Sequence, residues 1–289
     1  MKLSETEARL HESSSAPHPW SESDLVTLDP DHPGFRDEAY RSRRNVIARI
    51  AIEHSEGPVP FVEYTDQEQE TWRTVWSQLG ALHDKYASTE YLDAAERVRL
   101  DRESIPQLEQ VNATLRDTTG FAMKPVAGLV GDRTFLGYLG RSTFLATQYM
   151  RHPSRPLYTP EPDVVHELVG HAPTFCDARF AAMNRSFGHA AQRVDAATLS
   201  RVARMYWYTL EFGVCRQRGA LKAYGAGLLS SFGELGGFEQ RADLRPFDPG
   251  DIADTPYDPT DYQRVLFVAP SFPEATERIC AWLDSLPAG

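Results

Sequence analysis

A mainly α-helical fold with minor β structure is the class this sequence predicts, and three observations predict it. Apolar residues recur every three or four positions in most segments that show any period. A glycine-broken stretch from about Thr114 to Tyr149 reads instead as turns and short strands. No internal repeat, Gly/Ser linker or low-complexity block divides the 289 residues. At about 150 residues per domain the length allows two domains, but the undivided pattern favours one.

Residues 1–23 are rich in Ser, Glu, Asp, His and Pro without an apolar period, a composition that continues to about residue 34. They are expected to form a polar arm, leaving 24–289 as a single domain. From Asp37 to about Glu53, Tyr40, Val46, Ile47, Ile50 and Ala51 fall at helical spacing, with Arg and Glu on the opposite face. A second amphipathic helix spans about Asp66 to Tyr86, where Trp72, Val75, Trp76, Leu79, Leu82 and His83 recur and Thr65 is a candidate N-cap. Helical periodicity returns at about 163–170, 178–192, 196–216 and 271–285.

Composition bounds the partners. Apolar residues are 41% and charged residues 25%, values of an ordinary globular chain. No apolar run approaches the roughly 18 residues of a membrane span. With 41 acidic against 30 basic residues the formal charge is -11, so neither nucleic acid nor an anionic membrane is an expected partner. Cys176, Cys215 and Cys280 are few, odd in number and far apart, which fits a reducing compartment. The start, MKLSETEARLHESSS, has no apolar signal core, and a cytoplasmic location is expected.

The chemistry concentrates in Tyr158-Thr-Pro-Glu-Pro-Asp-Val-Val-His166-Glu167-Leu-Val-Gly170-His171. In the zinc-hydrolase motif HExxH the histidines are four apart, about 40° around an α-helix, and Glu serves as base. Here the motif is HExxxH, which sets the histidines about 140° apart on an ideal helix. Joint ligation therefore requires the helix to end or bend between them, and Gly170 and Pro173 offer a break. The alternative is a histidine pair that caps a helix and meets a carboxylate or carbonyl. In the helix around 196–216, Ala203, Trp207 and Glu211 share one i, i+4, i+8 row on the apolar side. A carboxylate there is costly unless paired or bound to metal. Two imidazoles and a carboxylate make the facial triad of non-haem Fe(II), whereas a salt bridge from Glu211 to Arg204, Arg216 or Arg218 is the competing reading.

The stretches TQYMRHPSRPLYTPEPDVVHELVGH (147–171), YWYTLEFG (206–213) and KAYGAGLLSSFGEL (222–235) closely resemble the pterin-dependent aromatic amino acid hydroxylases. The resemblance extends through DPDHPGF (29–35), FVEYTDQEQETW (61–72), IPQLEQV (105–111), TGFAMKPVAGL (119–129) and TDYQRVLFVAPSF (260–272), covering about residues 24–285. It implies the family's single-domain catalytic fold, and Fe(II) held by His166, His171 and Glu211. It also implies a tetrahydropterin, tetrahydrobiopterin or a related reduced pterin, with O2 as cosubstrate. The matching pterin positions are Gly128, Val130, Phe135, Glu167, Ala203 and Tyr206, although Phe135 taken alone reads as ordinary core. Val130 and Asp132 depart from the animal pattern. For the amino acid, Arg151 matches a carboxylate clamp oriented by Asp163, with Tyr158, Thr159, Pro160, Trp207, Phe212, Gly227 and Ser230 as other pocket residues and Ser230 a partner of His166. Leu145 and Pro259 depart from common pocket residues. No room is expected for the animal enzymes' regulatory domain or oligomerisation helix, so a monomer or weak dimer is expected.

Within that resemblance, Trp207 is similar to the phenylalanine and tyrosine enzymes rather than the tryptophan enzymes. Pro259 lacks a side-chain partner for a phenol. Phe212 and Ala226 resemble 4-hydroxylating members. The expected activity is phenylalanine to tyrosine. The alternatives are 3-hydroxylation to meta-tyrosine, tyrosine or tryptophan hydroxylation, a zinc hydrolase with Glu167 as base, and a binding module that retains the pocket without turnover.

Overall fold

The computed structural model describes residues 25–54, 57–259 and 261–289, so the polar arm expected over 1–23 lies outside the described residues. Helix α1 (Glu38–Glu53) begins at Asp37, whose carboxylate accepts from the Tyr40 amide. Its inward face differs from the one apolar spacing predicts: Arg44 is buried beside Ile47, Ala48 and Ala51, while Val46 is 47% exposed. The Arg44 guanidinium lies 3.2 Å from the centre of the Tyr149 ring and 2.9 Å from a Glu161 oxygen, so its charge is satisfied inside.

Helix α2 (Asp66–Tyr86) starts in a capping box of Thr65 and Glu68, and turns Trp72, Val75, Trp76 and Leu79 into the main core. Two helices that periodicity did not single out follow, α3 (Thr89–Val98) and α4 (Leu108–Thr119). The latter stops at Gly120, whose φ of 80° is a conformation that glycine adopts readily. The glycine-broken stretch does contain strands, β1 (Ala122–Pro125) and β2 (Thr143–Ala146), but also helix α5 (Asp132–Leu139) between them. The strands pair in parallel, Ala122 opposite Thr143 and Pro125 opposite Ala146, and parallel pairing requires such a crossover.

No α-helix covers the HExxxH segment. His166–His171 is one π-helical stretch, continued by a 3-10 turn over Ala172–Cys176 that holds Pro173. The expected break between the histidines is therefore replaced by a change of winding. Helices α6 (Ala178–Arg193) and α7 (Ala196–Tyr206) come next. The helix expected to reach residue 216 ends at Tyr206, passes through a second π turn at Trp207–Glu211 and enters β3 (Val214–Gln217).

Strand β4 (Ala220–Ala223) returns antiparallel to β3. Short helices α8 (Ala226–Ser230), α9 (Phe232–Leu235) and α10 (Phe238–Arg241) lead to β5 (Asp243–Pro246), and α11 (Pro249–Asp254) to β6 (Val265–Ala269). The sheet order is β4-β3-β6-β5, with β6 parallel to both neighbours. Helix α12 (Phe272–Ser285) then packs Phe272, Ala275, Ile279 and Leu283 onto the core. That core runs as one cluster from Trp72 to Leu283. Each fully buried large apolar side chain contributes about 1.5–3 kcal/mol, which lets the fold carry a polar site at its centre. Among the described residues no helix is long and apolar enough to cross a membrane.

Candidate metal centre and its pocket

The two π turns bring the candidate ligands together. In such a turn the amide hydrogen bond reaches back five residues rather than four: Ala172 N donates to Glu167 O, and Phe212 N to Trp207 O at 2.9 Å. A spacing of five then spans about one turn, so His166 and His171 share a face. Close packing holds this geometry. A Cβ on Gly170 would meet Ala226 O at 2.7 Å, and one on Gly225 would meet Glu211 O at 2.4 Å, so α8 sits directly against both π turns.

His171 Nε2 lies 3.1 Å from Glu211 Oε1, His166 Nε2 lies 3.5 Å from Glu211 Oε2, and the two Nε2 atoms are 3.0 Å apart. Two ligands about 2.1 Å from one ion at a right angle stand about 3.0 Å apart, so the spacing fits a facial set. Among the described residues this trio is the group whose donor atoms could hold a metal ion. None of the three arginines considered for Glu211 forms an ion pair with it. Burial pushes Glu211 up, but the two imidazoles outweigh it and hold the carboxyl below its usual range. Burial likewise lowers His166, to about 4, despite the opposing charge of Glu211. For His171 burial is overcome by Glu211, and the ring sits above its ordinary value.

Ser230 fixes the tautomer of His166. Its hydroxyl donates to Ala226 O at 2.8 Å, so at 3.0 Å it accepts the proton on His166 Nδ1 and leaves Nε2 with a free lone pair.

The trio opens into a cavity of about 320 Å³, within the range of small-molecule sites. Of the residues singled out from sequence, Gly128, Val130, Phe135, Glu167, Ala203 and Tyr206 line it, as do Arg151, Tyr158, Thr159, Pro160, Trp207, Phe212, Gly227 and Ser230. Asp163 does not; it is fully buried behind Arg151. Its carboxylate takes Arg151 Nε and Nη2, each at 2.8 Å, and the Arg151 backbone amide at 2.9 Å. Burial would raise this carboxyl, but Arg151 and the amides keep it ionised, below its usual range. One edge of the guanidinium is thus spent on Asp163. The Nη1–Nη2 edge is the one left for a second carboxylate, with Nη1 only 3.4 Å from Pro156 O.

On another wall Phe135 meets Phe144 and Tyr206 edge to face, at 5.6 Å and 5.5 Å between centroids. Glu167 Oε1 accepts from both the amide and the hydroxyl of Thr147 at 3.0 Å, and burial lifts its pKa to about 7. Opposite, Trp207 stacks on Tyr257 at 4.2 Å with 10° between planes, and its Nε1 donates to Gln263 Oε1 at 2.8 Å.

Thr147, Glu234, Tyr257 and Gln263 are lining residues that sequence reasoning missed. They lie on loops and a one-turn helix, where no apolar period marks a buried face. Thr147, Glu234 and Gln263 fall inside segments that carry the family resemblance, and that was the available signal.

A family model described as biopterin-dependent aromatic amino acid hydroxylase matches residues 21–288. The chain is 45% identical over 267 residues to tyrosine 3-monooxygenase of Bos taurus, covering 90% of this chain and 54% of that protein. It is 44% identical over 266 residues to phenylalanine-4-hydroxylase of Rattus norvegicus, covering 90% and 59%. It therefore spans little more than half the length of these curated relatives. Among solved structures, Chromobacterium violaceum phenylalanine hydroxylase with bound iron(III) and 7,8-dihydrobiopterin superposes with a TM-score of 0.76 at 29% identity, covering 91% of this chain and 96% of that one. The Legionella pneumophila phenylalanine hydroxylase gives 0.73 at 29%, covering 78% and 89%. The mainly helical architecture is the one those structures share.

Proposed function

This chain belongs to the biopterin-dependent aromatic amino acid hydroxylases, and from that premise we propose that it converts L-phenylalanine to tyrosine by 4-hydroxylation. His166, His171 and Glu211 would hold Fe(II), with the pterin in the part of the cavity bounded by Gly128, Val130, Phe135, Glu167, Ala203 and Tyr206. Iron and the reduced pterin, when bound, supply the electrons that activate oxygen for insertion into the ring. The chain's own residues bind, orient and exclude water. Arg151 offers a guanidinium edge to the substrate carboxylate, and Asp163 holds that edge in place. Glu167, with Oε1 already fixed by Thr147, keeps acceptor capacity for ring N–H groups. Trp207, Phe212 and Pro259 surround the aromatic ring, and Tyr158, Thr159, Pro160 and Gly227 complete the walls.

The observation that carries the substrate choice is the pair of lining residues Trp207 and Pro259. Trp207 spends its one donor on Gln263 and Pro259 has none, so those two offer a phenol no hydrogen bond. Identity to the tyrosine and phenylalanine enzymes is nearly equal and does not choose between them. The zinc-hydrolase alternative has no support from the family. We further propose residues 24–289 as the catalytic domain, acting as a monomer or weak dimer in the cytoplasm. The three cysteines are free, as a reducing compartment requires.

The test offers L-Phe, L-Tyr and L-Trp separately to the purified protein with Fe(II), a reduced pterin and oxygen, and identifies the product by chromatography and mass. Tyrosine from phenylalanine is expected. A faster yield of meta-tyrosine, dihydroxyphenylalanine or hydroxytryptophan overturns the substrate assignment, and no ring hydroxylation at all overturns the reading.

A further inference from the structure

Resting on that reading, we propose that Glu234 is the counter-charge for the α-ammonium of the amino acid substrate. An amino acid enters as a zwitterion, so a site that places a guanidinium for its carboxylate also needs an anion for its ammonium, or strips that cation of water without return. Five acidic side chains other than Glu211 line the cavity: Asp132, Glu161, Glu167, Glu234 and Asp261. Four have other duties or lie in the wrong setting. Glu161 is taken by Arg44 and by the Tyr149 hydroxyl, at 2.9 Å and 3.0 Å. Glu167 is anchored to Thr147 beside the metal ligands. Asp132 is exposed at the start of α5, and exposed Asp261 pairs with Arg264 at 3.0 Å.

Glu234 differs from all four. It sits partly buried on α9, four residues after Ser230, and has no ion pair among the described residues. Its Oε1 accepts the Gln263 amide at 2.8 Å, and the Ser231 hydroxyl also bonds the carboxyl. The nearby Arg241 guanidinium is directed at the backbone oxygens of Gly233 and Glu234, not at the carboxylate. Burial raises this carboxyl to about 7 even though the Gln263 amide and the nearby Arg241 charge oppose the shift, so a cation brought in by the ligand would favour its ionised form. Gln263 ties the position to the aromatic wall, because its amide meets Glu234 while its side-chain oxygen takes the indole N–H of Trp207. One residue thus sets the ammonium partner and the ring wall in a common frame.

The test compares L-phenylalanine with 3-phenylpropanoate, which lacks the ammonium, and with L-phenylalaninamide, which keeps the ammonium but lacks the carboxylate. Glu234→Gln retains the acceptor for Gln263 and removes only the charge. Expected is a rise of about 10-fold or more in KM for L-phenylalanine and in the inhibition constant of the amide, with that of 3-phenylpropanoate changed less than about two-fold. Equal loss for all three ligands, or none for any, overturns the proposal. Should Glu234→Gln fail to fold, the wild-type enzyme still decides: it is expected to bind L-phenylalanine at least about 10-fold more tightly than 3-phenylpropanoate, and equal affinities overturn the assignment. Failure of the wild type to hydroxylate any aromatic amino acid is a separate result, which sinks the underlying function and not this residue's role alone.

Discussion

Ser230 accepts the Nδ1 proton of His166 at 3.0 Å and thereby decides that Nε2, the nitrogen facing Glu211, is bare. Ser230→Ala removes that decision while leaving the ligand in place. Iron affinity is expected to fall about 10- to 100-fold, the usual cost of losing a hydrogen bond behind a metal ligand. Iron content after dialysis against a graded chelator measures it, and unchanged content would contradict the tautomer argument.

His171→Ala removes one ligand from the trio. The apo protein should fold, since the imidazole lines the cavity with the Phe144 and Phe175 rings packed against it, rather than filling the core alone. Iron binding and hydroxylation should be lost. A melting scan separates the effects: added Fe(II) stabilises the wild type by mass action and leaves the variant's midpoint where it was.

Arg151→Lys and Asp163→Asn test the clamp from both ends. Lysine cannot serve Asp163 and a substrate carboxylate through one planar fork, so KM for phenylalanine should rise at least about 10-fold. Asp163→Asn leaves a buried guanidinium without its anion and is expected to destabilise the fold by about 3 kcal/mol. Urea titration reads the second effect, and a loss below about 1 kcal/mol would mean that water replaces the carboxylate.

Arg44→Met keeps the stem volume but abandons Glu161. The loop carrying Tyr158, Thr159 and Pro160 loses its tie to α1, because Thr159 donates to the Glu161 backbone at 2.8 Å. The expected result is a higher KM with kcat nearly unchanged. A fall in kcat alone would place the effect elsewhere.

His83 gives a pH dependence of stability. It is buried in α2 and its Nε2, 2.7 Å from Leu229 O, must carry a proton to donate; burial lowers its pKa from 6.5 even though that hydrogen bond opposes the shift. The unfolded chain therefore takes up a proton before the folded one does. Stability is complete above the unfolded value of 6.5 and is lost as pH falls below it, with a slope that approaches about 1.4 kcal/mol per pH unit. His83→Gln keeps a donor without titrating, so its unfolding free energy should vary less than that of the wild type between pH 6.5 and pH 5, as measured by denaturant titration.

Local spacing carried much of this protein. The cap at Thr65, the helix starting near Asp37, the apolar row of α2 and the mainly helical class follow from interactions within a few residues, and the structure retains them. The sequence also marked His166, His171 and Glu211 as residues that belong together. It did not determine how, because an ideal α-helix sets HExxxH on diverging faces and continues through Glu211 towards residue 216. Two π turns reconcile the spacing with one centre. Their winding depends on α8 pressing its backbone against Gly170 and the carbonyl of Glu211, a contact between segments about 15 to 60 residues apart that no local pattern encodes. The same holds for Arg44, which helical periodicity assigned to the solvent side and the Tyr149 ring and Glu161 draw inward. Glu234, Gln263 and Thr147 also acquired their places from long-range packing. A polar residue on a loop or a one-turn helix has no period, and only the tertiary structure decides whether its side chain meets water or a pocket.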